Sequence, residues 1–306
     1  MKILITGTTG MVGRNILDAF QSTPHEVLSP DRKALNLFDQ QSVLKFLDKN
    51  KPDVIIHCAG KVGGIKANMD DLLGYYVENL DMGKNLVLSA YQVGIPRLIN
   101  FGSSCMYPRV TPNPIKEAQL LTGEFEPTNE GYALAKISVQ RLCQYISEKN
   151  QHLNYKTLIP CNLYGPYDKF DLMLAHMLPA AIHKIHMAKK NNEKSVTIWG
   201  DGKARREFLY SGDVADFITK KIACFDLWPA VMNLSAIVDH TITEYYQKTK
   251  EAIGYKGDFE FDLTKPVGMM KKLIDSSEQQ RLGWTPPTSL EKGIEKTYEY
   301  FLGLRT

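Results

Sequence analysis

Seven residues near the amino terminus, Gly7-Thr8-Thr9-Gly10-Met11-Val12-Gly13, limit the fold more than any other stretch of the chain. They follow an apolar run from Lys2 to Thr6 that reads as a strand, and they open an amphipathic stretch from Met11 to Gln21 that reads as a helix. Glycines in that junction let the backbone turn tightly and bring helix amides close to a phosphate, so the unit reads as the start of a dinucleotide-binding α/β sheet.

The rest of the first half repeats the alternation. Glu26 to Ser29, Val54 to Cys58, Arg97 to Ser103 and Tyr155 to Cys161 read as strands, and Gln40 to Lys49, Tyr76 to Val93 and Tyr132 to Asn150 as helices. Past Gly165-Pro166 the alternation loosens into helices at Leu172 to Lys190, Val214 to Ala223 and Thr243 to Gly254, with strands at Ser195 to Trp199, Val231 to Leu234 and Phe259 to Asp262. The expected fold is a Rossmann-type doubly wound parallel sheet with a smaller mixed α/β C-terminal substrate-binding domain. Residues 1–165 form the coenzyme domain, joined by about 205–235, and residues 166–306 form the substrate domain.

Composition narrows the class. Lysine and arginine total 37 against 34 acidic residues, a formal charge of +3, which gives nucleic acid or an acidic membrane little electrostatic purchase. No apolar run reaches the 18 residues of a membrane span, and Met1 to Thr6 runs straight into glycines without the pattern of a secretory leader, so a cytoplasmic protein is expected. Cys58, Cys105, Cys143, Cys161 and Cys224 are scattered and odd in number, which indicates neither a disulfide framework nor a metal site.

Three further groups of residues carry chemistry. At the end of the second strand, Asp31 would hold the ribose hydroxyl of NAD and Arg32 the 2′-phosphate of NADP; both are present, and Arg32 is the reading taken here. Tyr132 and Lys136 stand one helical turn apart, where an ammonium beside a phenol favours the phenolate. Ile99 to Ser103 leads a strand into a Gly-Ser-Ser turn that faces the same crevice as the glycine loop, so Ser103 can donate to a reacting oxygen, and Cys105 follows on the same side if the pleat continues.

Gly7, Gly10 and Gly13 with Ser103, Tyr132 and Lys136 resemble the extended short-chain dehydrogenase/reductases. Ala59-Gly60-Lys61-Val62-Gly63-Gly64-Ile65, Gly102-Ser103-Ser104-Cys105-Met106-Tyr107-Pro108, Glu126 to Lys136 and Asn162-Leu163-Tyr164-Gly165-Pro166 narrow the likeness to the GDP-L-fucose synthase family, along essentially the whole chain. That resemblance implies inversion of C3 and C5 of a GDP-4-keto sugar, with Cys105 and His176 exchanging protons, and reduction of C4 with NADP(H) through Ser103, Tyr132 and Lys136. For the coenzyme it implies Gly7, Thr8, Thr9, Gly10, Met11, Val12, Gly13, Arg32, Lys136, Pro160, Asn162, Leu163 and His176. For the GDP-sugar it implies Lys184, Trp199, Arg206 and Asp275, and for the assembly a homodimer. Lys169 to Ala175 and Val267 to Lys272 depart from the family pattern at the sugar end, which leaves open GDP-L-colitose synthesis, with inversion at C5 alone, or reduction of a GDP-4-keto-heptose. A non-catalytic dinucleotide-binding protein is the reading from another class, and the intact Tyr132 and Lys136 weigh against it.

Overall fold

The computed structural model describes residues 1–172, 175–265 and 269–304. Apolar runs buried on both faces become the centre of a parallel sheet: β1 (Lys2–Thr6) and β3 (Val54–His57) are buried almost throughout, whereas β2 (Glu26–Leu28), at the edge, is not. With β4 (Arg97–Phe101), β5 (Asn154–Pro160) and β10 (Val231–Leu234) they form a six-stranded sheet in the order β10-β5-β4-β3-β1-β2, every pairing parallel. The chain passes from β1 outward to β2 and then returns to β3 on the other side of β1. The carboxyl ends of β1 and β3 therefore flank the switch point, where such sheets bind ligands.

Helices cover both faces. On one lie α2 (Gln40–Asn50), α4 (Leu72–Val93) and α5 (Glu130–Lys149), and their apolar sides close a core with Leu4, Ile55, Leu98 and Tyr155. On the other lie α1 (Met11–Phe20) and α7 (Ser211–Lys221), over Ile3, Ile5, Ile56 and Ile99. A short helix α3 (Ile65–Asp70) precedes α4, which starts four residues ahead of the expected Tyr76 because Asp71 caps it by accepting from the Gly74 amide at 2.9 Å.

The second lobe has its own apolar cores. β7 (Ser195–Trp199) pairs with β12 (Asp258–Asp262), β8 (Arg205–Arg206) with β11 (His240–Thr241), and β6 (Asn162–Tyr164) with β9 (Phe208–Tyr210). They pack with α6 (Met177–Lys190), α8 (Ile242–Ile253) and α10 (Leu290–Gly303) around Phe170, Ile182, Tyr245 and Phe301; α9 (Ser277–Arg281) borders β10. The helix expected from Leu172 begins at Met177, with Met173 and Leu174 outside the described residues.

One buried cation holds the turn before β10. Lys156, in the sheet and 4% exposed, donates to the carbonyls of Phe225 at 2.7 Å, Asp226 at 3.2 Å and Trp228. Burial pulls its pKa down to about 8. Lys156→Met should keep the apolar stem and strand these carbonyls, costing about 2–4 kcal/mol in chemical denaturation; an unchanged midpoint would show that the turn satisfies them otherwise.

Candidate active site

The glycine loop is shaped as a cradle. Gly7 has φ +76°, and a Cβ there would lie 2.6 Å from the Ala59 nitrogen; a Cβ on Gly13 would lie 2.4 Å from the Gly7 carbonyl oxygen. Gly10 caps α1 in extended conformation, no side chain caps that helix end, and no acidic residue stands in its first turn. Thr8, Thr9, Met11 and Val12 complete the loop. Amides at an uncapped helix start beside a small-residue turn are the donor set a pyrophosphate needs.

Asp31 is committed elsewhere. Its Oδ1 accepts from the amides of Lys33 at 2.9 Å and Ala34 at 2.8 Å, which makes it the cap of the turn after β2. Arg32 is exposed, its guanidinium 5.0 Å from the centre of the Phe38 ring. Both side chains are exposed, but one Asp31 oxygen is engaged in its own turn whereas the Arg32 guanidinium packs over Phe38.

Across the switch point, β4 ends at Phe101 rather than Ser103. Ser103 Oγ accepts from the Cys105 amide at 3.3 Å, and the chain turns through a short 3₁₀ segment, Ser104–Met106. The expected pleat is therefore broken by a local side-chain bond to the backbone, and Cys105 reaches the crevice by the turn instead. Ser103 and Cys105 both lie within electrostatic reach of the Tyr132 phenol.

Lys136 differs from expectation in a second way. Its Nζ donates to the Phe101 carbonyl at 2.9 Å and sits 5.7 Å from the centre of the Tyr132 ring, over the π-face rather than on the hydroxyl. Burial, reinforced by Cys105 and outweighing Ser103, holds the Tyr132 pKa above its ordinary value, so the ammonium does not prevail and the group is a phenol. Burial also brings Lys136 down to about 8, with Cys58 opposing. Beneath them His57 shares a 2.9 Å bond with Thr6 Oγ1 and is kept neutral, its pKa driven to about 3 by burial and then by Lys136.

Pro160 closes β5 opposite Leu234, Leu163 pairs with Leu209, and Asn162 donates to the Glu207 carbonyl at 2.9 Å. His176 stands just ahead of α6 at its N-cap, not inside a helix, and burial lowers its pKa, with Lys169 adding to the effect. In the second lobe Trp199 is 55% exposed, with Lys184 Nζ 5.3 Å and Lys265 Nζ 5.7 Å from its ring centre. Arg206 donates to the carbonyls of Arg205, at 2.8 Å, and Met269, and it neighbours Glu126 and Lys272. One Asp275 oxygen accepts from the Ser277 amide at 2.9 Å, and its charge faces Tyr107 and Glu117. Of the departing segment, Val267 and Gly268 lie outside the described residues.

Sequence reasoning passed over Lys265, Lys272 and Asn129. Lys272 and Asn129 fall inside quoted motifs, yet nothing in a lysine run or in an asparagine ahead of a helix distinguishes a site residue from a solvated one. Lys265 carries no motif at all.

Residues 3–229 match the NAD dependent epimerase/dehydratase family. The chain belongs to that family. It is 49% identical over 302 residues to a GDP-L-colitose synthase of Yersinia pseudotuberculosis, covering 99% of this chain and 98% of that one. It is 45% identical over 301 residues to a GDP-L-fucose synthase of Azorhizobium caulinodans, covering 98% and 96%. In three dimensions it superposes on a GDP-mannoheptose C4 reductase of Campylobacter jejuni with NADP bound, at a TM-score of 0.89 and 29% identity, over 98% of each chain.

Proposed function

We propose that this member of the epimerase/dehydratase family is an NADP-dependent oxidoreductase and epimerase that converts GDP-4-keto-6-deoxy-D-mannose to GDP-L-fucose. The observation that carries this reading is the convergence of Ser103, Tyr132, Lys136 and Cys105 beside the glycine cradle, in a chain 45% identical to a GDP-L-fucose synthase.

The cradle suits a dinucleotide, since glycines at positions 7 and 13 let the loop fold tightly against Ala59 and back on itself at the uncapped start of α1. Gly7 to Gly13 would hold the pyrophosphate, Arg32 the 2′-phosphate, and Lys136, Pro160, Asn162, Leu163 and His176 the nicotinamide half. When bound, NADPH supplies the hydride for C4. Tyr132, kept as a phenol, has the proton to give to the C4 oxygen, while Ser103 orients that oxygen and the phenol together. Protons on carbons flanking a ketone are acidic because the enolate spreads charge onto oxygen, so Cys105 and His176 exchange them ahead of reduction. Lys184 and Trp199 receive the nucleotide end, Arg206 the diphosphate and Asp275 the rim. Residues 1–165, joined by about 205–235, serve the coenzyme and residues 166–306 the GDP-sugar.

The test is to add GDP-4-keto-6-deoxymannose and NADPH, follow coenzyme oxidation, and assign the product by NMR. GDP-L-fucose supports the reading; no turnover sinks it. The 49% identity to a GDP-L-colitose synthase favours one second reading, with inversion at C5 alone, and the product's C3 configuration separates the two. Coenzyme choice is checked separately. Arg32→Ala should weaken NADPH binding about tenfold or more, the worth of a charge-assisted bond of roughly 1.5–3 kcal/mol, and leave NADH binding nearly unchanged; equal losses would remove Arg32 from the 2′-phosphate.

A homodimer and a cytoplasmic site complete the reading. Leu73 and Val77 on α4 and Leu134 and Tyr145 on α5 are exposed on two helices packed against each other, a face suited to a second copy, and light scattering would give twice the chain mass. All five cysteines are free thiols, which suits a reducing compartment.

A further inference from the structure

Asn129 occupies the N-cap position of α5, where asparagine is among the best residues for accepting the first amides of a helix. Its side chain does not cap. The amide Nδ2 donates instead to Cys105 Sγ at 3.2 Å, and its Oδ1 is buried with no hydrogen-bond partner. Giving up a cap and leaving a buried carbonyl oxygen unpaired both cost stability, and neither is offset inside the helix. Local rules broken in this way, beside Cys105, point to a use at the sulfur.

We propose that Asn129 is a positioning residue for Cys105, holding the sulfur toward the substrate through the amide N–H, with Oδ1 left to accept from a hydroxyl of the bound sugar. This rests on the reading of Cys105 as the acid/base of epimerisation. A hydrogen bond donated to the sulfur fixes its direction, so the bond keeps the Cys105 side chain aimed at the carbon acid. Lys272 also lies within electrostatic reach of Cys105.

The experiment compares wild type with Asn129→Ala and Asn129→Asp, each with NADP⁺ bound, which also checks folding. The aspartate variant, whose side chain is a strong helix cap, serves if alanine fails to fold. Two quantities are read: the rate of Cys105 alkylation by iodoacetamide at pH 7, followed by peptide mass spectrometry, and kcat and KM for solvent deuterium entering the 4-keto sugar without reduction. The expected result is alkylation about tenfold slower in both variants and a matching fall in kcat for exchange that exceeds any rise in KM. A merely structural role would loosen the crevice and speed alkylation; faster or unchanged alkylation overturns the inference. Cys105→Ser, run beside them, separates the two levels. If it keeps full exchange the acid/base reading fails, whereas loss of exchange there with wild-type rates in both Asn129 variants removes Asn129 alone.

Discussion

Replacing Tyr132 by Phe is expected to lower NADPH oxidation by about 10²- to 10⁴-fold, with coenzyme binding retained. The ring stays, so the edge-on packing against Tyr75, at 6.5 Å between centres, and the Lys136 ammonium over its face survive. What goes is the single hydroxyl, beside Ser103, that the proposed mechanism uses as proton donor. Because burial holds this group above its ordinary pKa, it stays protonated across the neutral range, and the alkaline limit of the reaction comes from its neighbour. Lys136 is charged below about pH 8 and neutral above it, so kcat/KM for reduction falls as pH rises through that value. Substantial turnover by the Phe variant, followed at 340 nm at roughly the wavelength where NADPH absorbs, would take the proton donor away from Tyr132.

The parts of this molecule legible in its sequence are those whose physics is local. β1 and β3 are short apolar runs bounded by turn residues, and the glycine loop between β1 and α1 has one stereochemical solution, with Gly7 at positive φ. The partners of strands are not local. Val231 to Leu234 reads as a strand, but its place beside β5 depends on Lys156 fixing the turn that precedes it. The two-residue pairing of Arg205–Arg206 with His240–Thr241 leaves no periodicity to read. α10 did carry a signal, with Ser289 capping through the Lys292 amide and Ile294, Thr297 and Phe301 buried at helical spacing.

In the site, residue types were readable and their relations were not. Tyr132 and Lys136 share a helix face, yet burial decides which of the two perturbs the other, and burial belongs to the fold. Asp31 and Arg32 are adjacent in sequence and equivalent as motifs; the hydrogen bonds of Asp31 to its own turn distinguish them. Cys105 was placed by strand periodicity that ends two residues too early, since Ser103 captures the backbone.

Cys105→Ser is expected to suppress solvent deuterium uptake at the carbons flanking the ketone by about 10²- to 10⁴-fold while Tyr132, Ser103 and Lys136 remain in place. A serine hydroxyl fills nearly the same space and can accept the Asn129 amide as the sulfur does at 3.2 Å, so the crevice should hold its shape. It is a far weaker base at neutral pH than a thiol, whose ordinary pKa is roughly 8.5. The two half-reactions should therefore come apart: inversion nearly stops, and any ketone still reduced carries its original configuration at C3 and C5. Mass spectrometry of sugar incubated in deuterium oxide without NADPH reads the first effect, and NMR of the product formed with NADPH reads the second. Uptake at the wild-type rate would assign the proton exchange to other groups, with His176 the first to replace, because its imidazole is kept neutral by burial and can still accept a proton.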